Sequence, residues 1–144
     1  MYRARATPRQ AFKPADLAFR VSELIMRRSG MEALRDVFEA HGEILPLATD
    51  DGVELWVCNV LGVLDAHDLE CSHIKPIEGT RAVSIYEHAF LPSVIGDAEM
   101  FRTSVDPNRV YFTDRFVERV KKLKLKGTDF FPLWSSEGKL PTPK

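Results

Sequence analysis

Hydrophobic residues at helical spacing predict two principal helices in this chain. The first is predicted over residues 30–40, with Ser29 as its N-cap and Gly42 as its stop. The second is predicted over residues 114–125, between Thr113 as its N-cap and Gly127. Their apolar faces consist of Met31, Leu34, Val37 and Phe38 in the first helix, and Phe116, Val117, Val120 and Leu123 in the second. Each helix is therefore expected to bury one face in a core.

Shorter apolar runs between turn residues predict the strands. Two hairpins are expected, with strand pairs at 43–47 and 53–61 and at 73–77 and 81–87. Further strands are expected at 24–28, 100–103, 109–112 and 128–134, and single helical turns at 65–72 and 92–95. The predicted fold class is α+β, with a mainly antiparallel sheet of short strands and the two helices.

The length of 144 residues suits one domain with one real core. We expect residues 1–15 to form a flexible basic arm, 16–134 the folded domain, and 135–144 a frayed tail. No apolar stretch is long enough for a secretory signal or a membrane span. The two cysteines, Cys58 and Cys71, are too few for a disulfide framework. A reducing, cytoplasmic location is therefore expected, with Cys58 as a small core residue.

Charge is distributed unevenly behind a net charge of −1. Residues 32–99 hold 3 basic against 14 acidic side chains, whereas basic residues predominate before and after them. The two ends of the chain would neutralise the centre if they fold across it, and otherwise an acidic face would remain for a basic partner. No basic stripe interleaved with aromatic residues is present, which argues against a nucleic-acid ligand.

Several short segments, taken in order, carry a family resemblance. They are His41-Gly-Glu-Ile-Leu-Pro-Leu47, Asn59-Val60, Val63-Leu-Asp-Ala66, Asp68, Ser72, Phe101-Arg102, Val110, Thr113-Asp-Arg-Phe116, Leu125-Lys-Gly127 and Phe131-Pro-Leu133. In these segments the chain, from Leu24 to Trp134, resembles the immunity protein 11 family of bacterial polymorphic toxin systems. A leucine is more usual in that family where His67 stands, and we expect a local surface difference there.

The resemblance implies an immunity protein that neutralises a cognate toxin by stoichiometric contact, without catalytic residues, metal or cofactor. The toxin is expected to be encoded next to the gene for this chain, and a homodimer of the chain remains an option. Acidic turn residues suit a basic toxin surface, so the candidate toxin-contacting residues are Asp50, Asp51, Asp65, His67, Asp68 and Glu70. An exposed aromatic side chain would be a stronger anchor, and the candidates are Trp56, Tyr86, Phe90 and Tyr111.

Two other classes of function remain open. One is an adaptor or chaperone for a secreted effector. The other is a small metal-dependent enzyme, for which the candidate ligands are Asp65, His67, Asp68, Cys71 and His73. Their spacing matches no zinc signature. In the simpler interpretation, Asp65 and Ser72 cap the local turn and the histidines face solvent.

Overall fold

Two mainly antiparallel sheets and a separate hairpin make up the fold in the computed structural model, which describes residues 1–6, 15–20, 23–47 and 52–137. The strands in the described residues are β1 Tyr2–Ala6, β2 Leu17–Arg20, β3 Glu23–Met26, β4 Gly42–Leu47, β5 Leu55–Val60, β6 Val63–Leu64, β7 His73–Pro76, β8 Val83–Glu87, β9 Met100–Thr103, β10 Tyr111–Phe112 and β11 Thr128–Pro132. The helices are α1 Arg28–Ala33, α2 Arg35–His41, α3 Pro92–Ile95 and α4 Asp114–Lys122. The predicted α+β class with mainly antiparallel pairing is confirmed.

The four-stranded sheet has the order β2-β3-β5-β4 and contains the first predicted hairpin. β4 and β5 pair in antiparallel register from Gly42 opposite Val60 to Leu47 opposite Leu55. Alternate residues of β3 and β5, such as Leu24 and Cys58, are buried on the inner face, as a period of two requires. Cys58 is thus a core residue as predicted, and burial raises the pKa of its thiol to about 12.

The five-stranded sheet has the order β11-β1-β10-β9-β6, and it corrects the prediction for the N-terminus. A flexible arm over residues 1–15 is wrong for Tyr2–Ala6, which form β1 between β10 and β11. The register places Tyr2 opposite both Phe112 and Pro132, and its ring is fully buried. Residues 7–14 and 138–144 lie outside the described residues.

The first predicted helix is present but is divided in two. Leu34, with φ −122° and ψ 17°, separates α1 from α2, and both its side chain and that of Phe38 are buried as predicted. Ser29 is not the N-cap, because α1 begins at Arg28 and the Ser29 hydroxyl donates a hydrogen bond to Asp16. The Ser29 hydroxyl therefore bonds to the Asp16 carboxylate instead of acting as the N-cap that the local pattern predicted.

The second predicted helix is confirmed as α4, but it is shorter. It ends at Lys122, and the chain then turns through Lys124 at φ 55° and Gly127 at φ 112°. Leu123 lies just beyond the helix and is 44% exposed, so its predicted place on the buried face is wrong. Thr113 occupies the N-cap position, but its hydroxyl donates to the Ala98 carbonyl instead of accepting from the helix.

Two clusters of buried side chains form the core. The larger one joins both sheets to α1, α2 and α4, and includes Leu24, Phe38, Phe112 and Phe116. The smaller one lies beside the five-stranded sheet and contains Ala66, Phe90, Phe101 and Tyr111. The β7–β8 hairpin contributes no side chain to either cluster, although all of its residues are described.

Candidate functional site

The polar segment 65–72 contains four of the six candidate contact residues and ends in a turn. The Ser72 N–H donates to the Asp68 carbonyl at 2.8 Å, which closes one helical turn over residues 68–72, whereas His67, within the predicted range 65–72, forms a β-bridge with Phe90. Asp68 Oδ1 accepts hydrogen bonds from the N–H groups of Glu70 and Cys71 at 3.1 and 3.2 Å. Asp68 therefore caps this turn, because its carboxylate satisfies N–H groups that a single turn leaves free.

Asp65 and Ser72 do not have the capping role expected for them. Asp65 accepts a hydrogen bond from the Ser104 hydroxyl, which ties the turn to the end of β9. The Ser72 hydroxyl donates to the Ala89 carbonyl at 3.1 Å and accepts from the Ala89 N–H at 3.0 Å. These side chains fasten the turn to neighbouring segments, which fixes its position in the fold.

An acidic cleft of about 480 Å³ lies along this turn. It is lined by Asp65, His67, Asp68, Leu69, Glu70, Leu91, Thr103, Ser104 and Val105. The lining thus carries three carboxylates and neither lysine nor arginine. No ion pair involves these three carboxylates in the described part of the chain. The other two candidate contacts, Asp50 and Asp51, lie outside the described residues.

Several other acidic residues of the central segment are paired with arginines from the ends of the chain. Arg28 pairs with Glu54 at 2.5 Å, and Arg119 pairs with Asp36 at 2.7 Å. Arg119 also lies 3.9 Å from Glu99, and Arg115 lies 3.2 Å from Asp97. Both alternatives for the charge asymmetry are therefore realised in different places, and the carboxylates of the acidic cleft are among those without an ion pair in the described residues.

His67 is buried, which makes the expectation of solvent-facing histidines wrong at this position. It is 4% exposed and stacks on Phe90 with ring centroids 4.6 Å apart. Its Nδ1 lies 3.0 Å from Thr103 Oγ1, and its Nε2 lies 3.2 Å from His88 Nδ1. Both ring nitrogens of His67 thus have partners at the back of the cleft.

Burial governs the protonation of this histidine pair. Loss of solvation lowers the pKa of His67, and the same effect lowers the pKa of His88 to about 4, with further contributions from His67, Arg109 and Arg3. Tyr111 donates a hydrogen bond to Asp106 at 3.2 Å, and burial raises the pKa of its hydroxyl. With these lowered pKa values, both histidines are neutral at pH 7. The leucine that is more usual at position 67 in the resembling family was the sequence signal that this position is buried.

The proposed metal ligands do not come together in the described residues. His73 pairs with Glu87 at 2.7 Å across the hairpin, and Cys71 is exposed. A hydrogen bond to Asp68 raises the pKa of the Cys71 thiol. No group of three or more His, Cys, Asp or Glu side chains with metal-binding geometry occurs in the part of the chain that is described.

The four candidate aromatic anchors differ in how far they are exposed. Phe90 and Tyr111 are buried, and Trp56 is half-buried, with the Arg28 guanidinium 5.3 Å from its ring centroid. Tyr86, on β8, is 66% exposed. The sequence identified Tyr86 only as one of four candidate anchors, because the exposure of a side chain depends on packing between distant segments.

Comparison with known proteins places the chain in a family. No curated protein matches it. No helix among the described residues is long and apolar enough to cross a membrane. The model of the immunity protein family (Imm11) matches residues 47–133, a range that contains the acidic cleft and the β7–β8 hairpin. Because this match covers more than half of the 144 residues, the chain belongs to the immunity protein family Imm11.

Proposed function

We propose that this protein binds one cognate bacterial toxin in the cytoplasm and neutralises it by stoichiometric contact. The observation that carries the proposal is membership of the Imm11 family across residues 47–133. The toxin is encoded beside the gene, since an immunity protein and its toxin must be inherited together to protect the cell. Inhibition of this kind needs a complementary surface and no reactive group.

The acidic cleft supports a basic toxin surface as the partner. Asp65, Asp68 and Glu70 contribute three negative charges without a lining lysine or arginine. The negative electrostatic field of these three groups speeds the encounter with a basic partner and disfavours acidic partners. Glu70 is exposed, and its carboxylate holds no capping position, so it can meet a cation without disturbing the turn. Of the six candidate contacts, it gives the cleanest test.

Co-expression tests this function directly. The chain is produced together with each toxin encoded next to its gene, and host survival and co-purification are scored. We expect survival and a one-to-one complex with one of these toxins. Loss of viability together with no complex for every neighbouring toxin would contradict immunity by direct binding. An escort role for a secreted effector would instead give a complex without protection.

Charge reversal then tests the cleft. Glu70→Lys should weaken binding by roughly tenfold, mainly through slower association, because rim charges act on the encounter. Glu39→Lys is the matched control, since Glu39 is exposed on α2, away from the cleft. Equal association rates for the two variants in stopped-flow or surface-binding measurements would exclude the cleft as the basic partner's site.

A further inference from the structure

The β7–β8 hairpin stands apart from both sheets. In the described residues, β7 and β8 pair only with each other, in the order Ile74 opposite Ile85 and Pro76 opposite Val83. The base of the hairpin is held by the Ser72 hydroxyl on the backbone of Ala89 and by the bridge between His67 and Phe90. The hairpin is therefore fixed at its base, and no other strand of the described residues pairs with it.

One face of the hairpin is aliphatic, and the other carries an exposed aromatic ring among polar residues. The register places Ile74, Pro76, Val83 and Ile85 on one face. The opposite face carries Tyr86, with Lys75 Nζ 5.8 Å from its ring centroid, and next to the hairpin Ile77 is 44% exposed. A lone two-stranded hairpin in water is marginally stable without a packing partner. The exposed Tyr86 and Ile77 on such an element mark a candidate interaction site.

The hairpin also continues the surface of the acidic cleft. Ser72 ends the turn that carries Asp68 and Glu70, and β7 begins at the next residue. A depression of about 670 Å³ on the hairpin is lined by Ser72, His73, Ile74, Lys75 and Tyr86. Leu69, on the turn between the cleft and this depression, is 63% exposed. An aromatic and aliphatic patch with an acidic side is the composition of a protein-binding surface with a polar rim.

We infer that the β7–β8 hairpin is the docking surface for the toxin and that Tyr86 is its central anchor. This inference rests on the proposed function and names the surface that performs it. A large, exposed aromatic ring that lines a depression together with Ile74 has the properties of an interface hot spot. The acids of the adjoining cleft form the rim that selects a basic partner.

Charge favours a toxin over a second copy of this chain. A dimer built on the hairpin would bring two sets of Asp65, Asp68 and Glu70 towards each other, and like charges at an interface oppose association. A basic toxin would neutralise the same groups. The occupant that fits both the apolar patch and its acidic side is therefore a protein with an apolar pocket and basic residues around it.

The test uses the full chain and the neighbouring toxin that co-expression identifies. Tyr86→Ala should weaken the complex by about 30-fold or more, as expected for a hot spot, whereas Tyr86→Phe should stay within about threefold. Leu69→Asp should also weaken binding. Its matched control is Leu123→Asp, because Leu123 is also an exposed leucine, at 44%, but lies beyond α4. Thermal unfolding of each variant verifies that it is folded.

Hydrogen exchange supplies a readout that needs no substitution. Amides of residues 73–87 should gain protection when the wild-type chain binds the toxin. Unchanged exchange in this range, or wild-type affinity for Tyr86→Ala and Leu69→Asp, would overturn the hairpin inference and leave the proposed function intact. A hairpin variant that turns a dimer of the free chain into a monomer at unchanged toxin affinity would also overturn it. Failure of the wild-type chain itself to rescue or bind would instead refute the proposed function, and the inference with it.

Discussion

Protonation is costly for the two histidines that meet beside the five-stranded sheet. His67 and His88 stack among Phe90 and Tyr111, and their facing nitrogens are 3.2 Å apart. Arg109 opposes a positive charge on both rings, and Arg3 opposes one on His88, whereas Asp106 partly favours a charge on His67. Burial outweighs the carboxylate, so both rings pack as neutral groups. At the residue scale, the pair packs as neutral side chains, with His67 buried and His88 half-buried.

Acid should therefore destabilise the protein through these histidines. The native pKa of His88 is about 4, below its ordinary value of 6.5, so the unfolded chain binds protons that the folded chain does not between these values. Stability should be highest above pH 6.5 and should fall by about 2 kcal/mol between pH 7 and pH 4.5. Urea unfolding at half-unit pH steps measures this loss.

A variant at His88 separates its contribution from those of the other buried histidines. His41 and His67 also have pKa values lowered by burial, so they add a loss of the same sign. His88→Gln removes one titrating ring and keeps a side chain able to hydrogen-bond to His67. The pH slope of its stability should be smaller than that of the wild type. Equal slopes, or a wild-type stability that is flat from pH 7 to 4.5, would contradict this account.

At the scale of elements, Gly42 determines how the first helical unit joins the four-stranded sheet. It follows the last residue of α2 and begins β4, directly opposite Val60. A Cβ atom at this position would stand 2.0 Å from the Asn59 carbonyl oxygen, closer than any real contact. The extended backbone of Gly42 would suit any residue, so crowding against β5 is the reason for glycine.

Gly42→Ala should therefore separate the start of the β4–β5 pairing and destabilise the fold by about 1–3 kcal/mol or more. Gly62→Ala is the matched control, because the nearest atom to its Cβ would be 3.8 Å away, an ordinary contact. We expect the control to change the free energy of unfolding by less than about 0.5 kcal/mol. Chemical denaturation of both variants makes the comparison, and equal losses would show that crowding at Gly42 is relieved at no cost.

At the scale of the whole molecule, some central acidic residues are paired with arginines from the two ends of the chain, and those of the acidic cleft are not. The pairs of Arg28, Arg115 and Arg119 with central acidic residues are mostly exposed, and pairs of this kind contribute little to stability. The carboxylates of the acidic cleft have no such partners in the described part of the chain. Electrostatics should therefore matter more for toxin binding than for folding.

The salt dependence of toxin binding should be stronger than the salt dependence of folding. Raising the salt concentration from about 50 to 500 mM shortens the screening length from roughly 14 to 4 Å. We expect association with the toxin to slow by about tenfold or more, while the free energy of unfolding changes by less than about 1 kcal/mol. Stopped-flow association and urea unfolding at matched salt concentrations measure the two quantities. An association rate independent of salt would contradict steering by the cleft.

The sequence by itself determined the local elements of this protein. The β4–β5 and β7–β8 hairpins, the α3 turn, the strands facing each other as β9 and β10, and most of α4 follow from patterns a few residues long. The helical turn at 68–72, within the predicted range 65–72, was predictable for the same reason, since its hydrogen bonds join near neighbours. Turn chemistry and hydrophobic period act over such distances, so they are visible without a structure.

Only the tertiary structure decided which local preferences were overridden. β1 pairs with β11 across about 130 residues, and Ser29 and Thr113 give their hydroxyls to distant acceptors instead of capping helices. Burial of His67 and exposure of Tyr86 likewise depend on which segments meet. Long-range pairing and burial are properties of the packed chain, and no local period encodes them. For that reason the sequence could name the acidic residues and the aromatic candidates, while the fold alone formed the acidic cleft and left Tyr86 exposed.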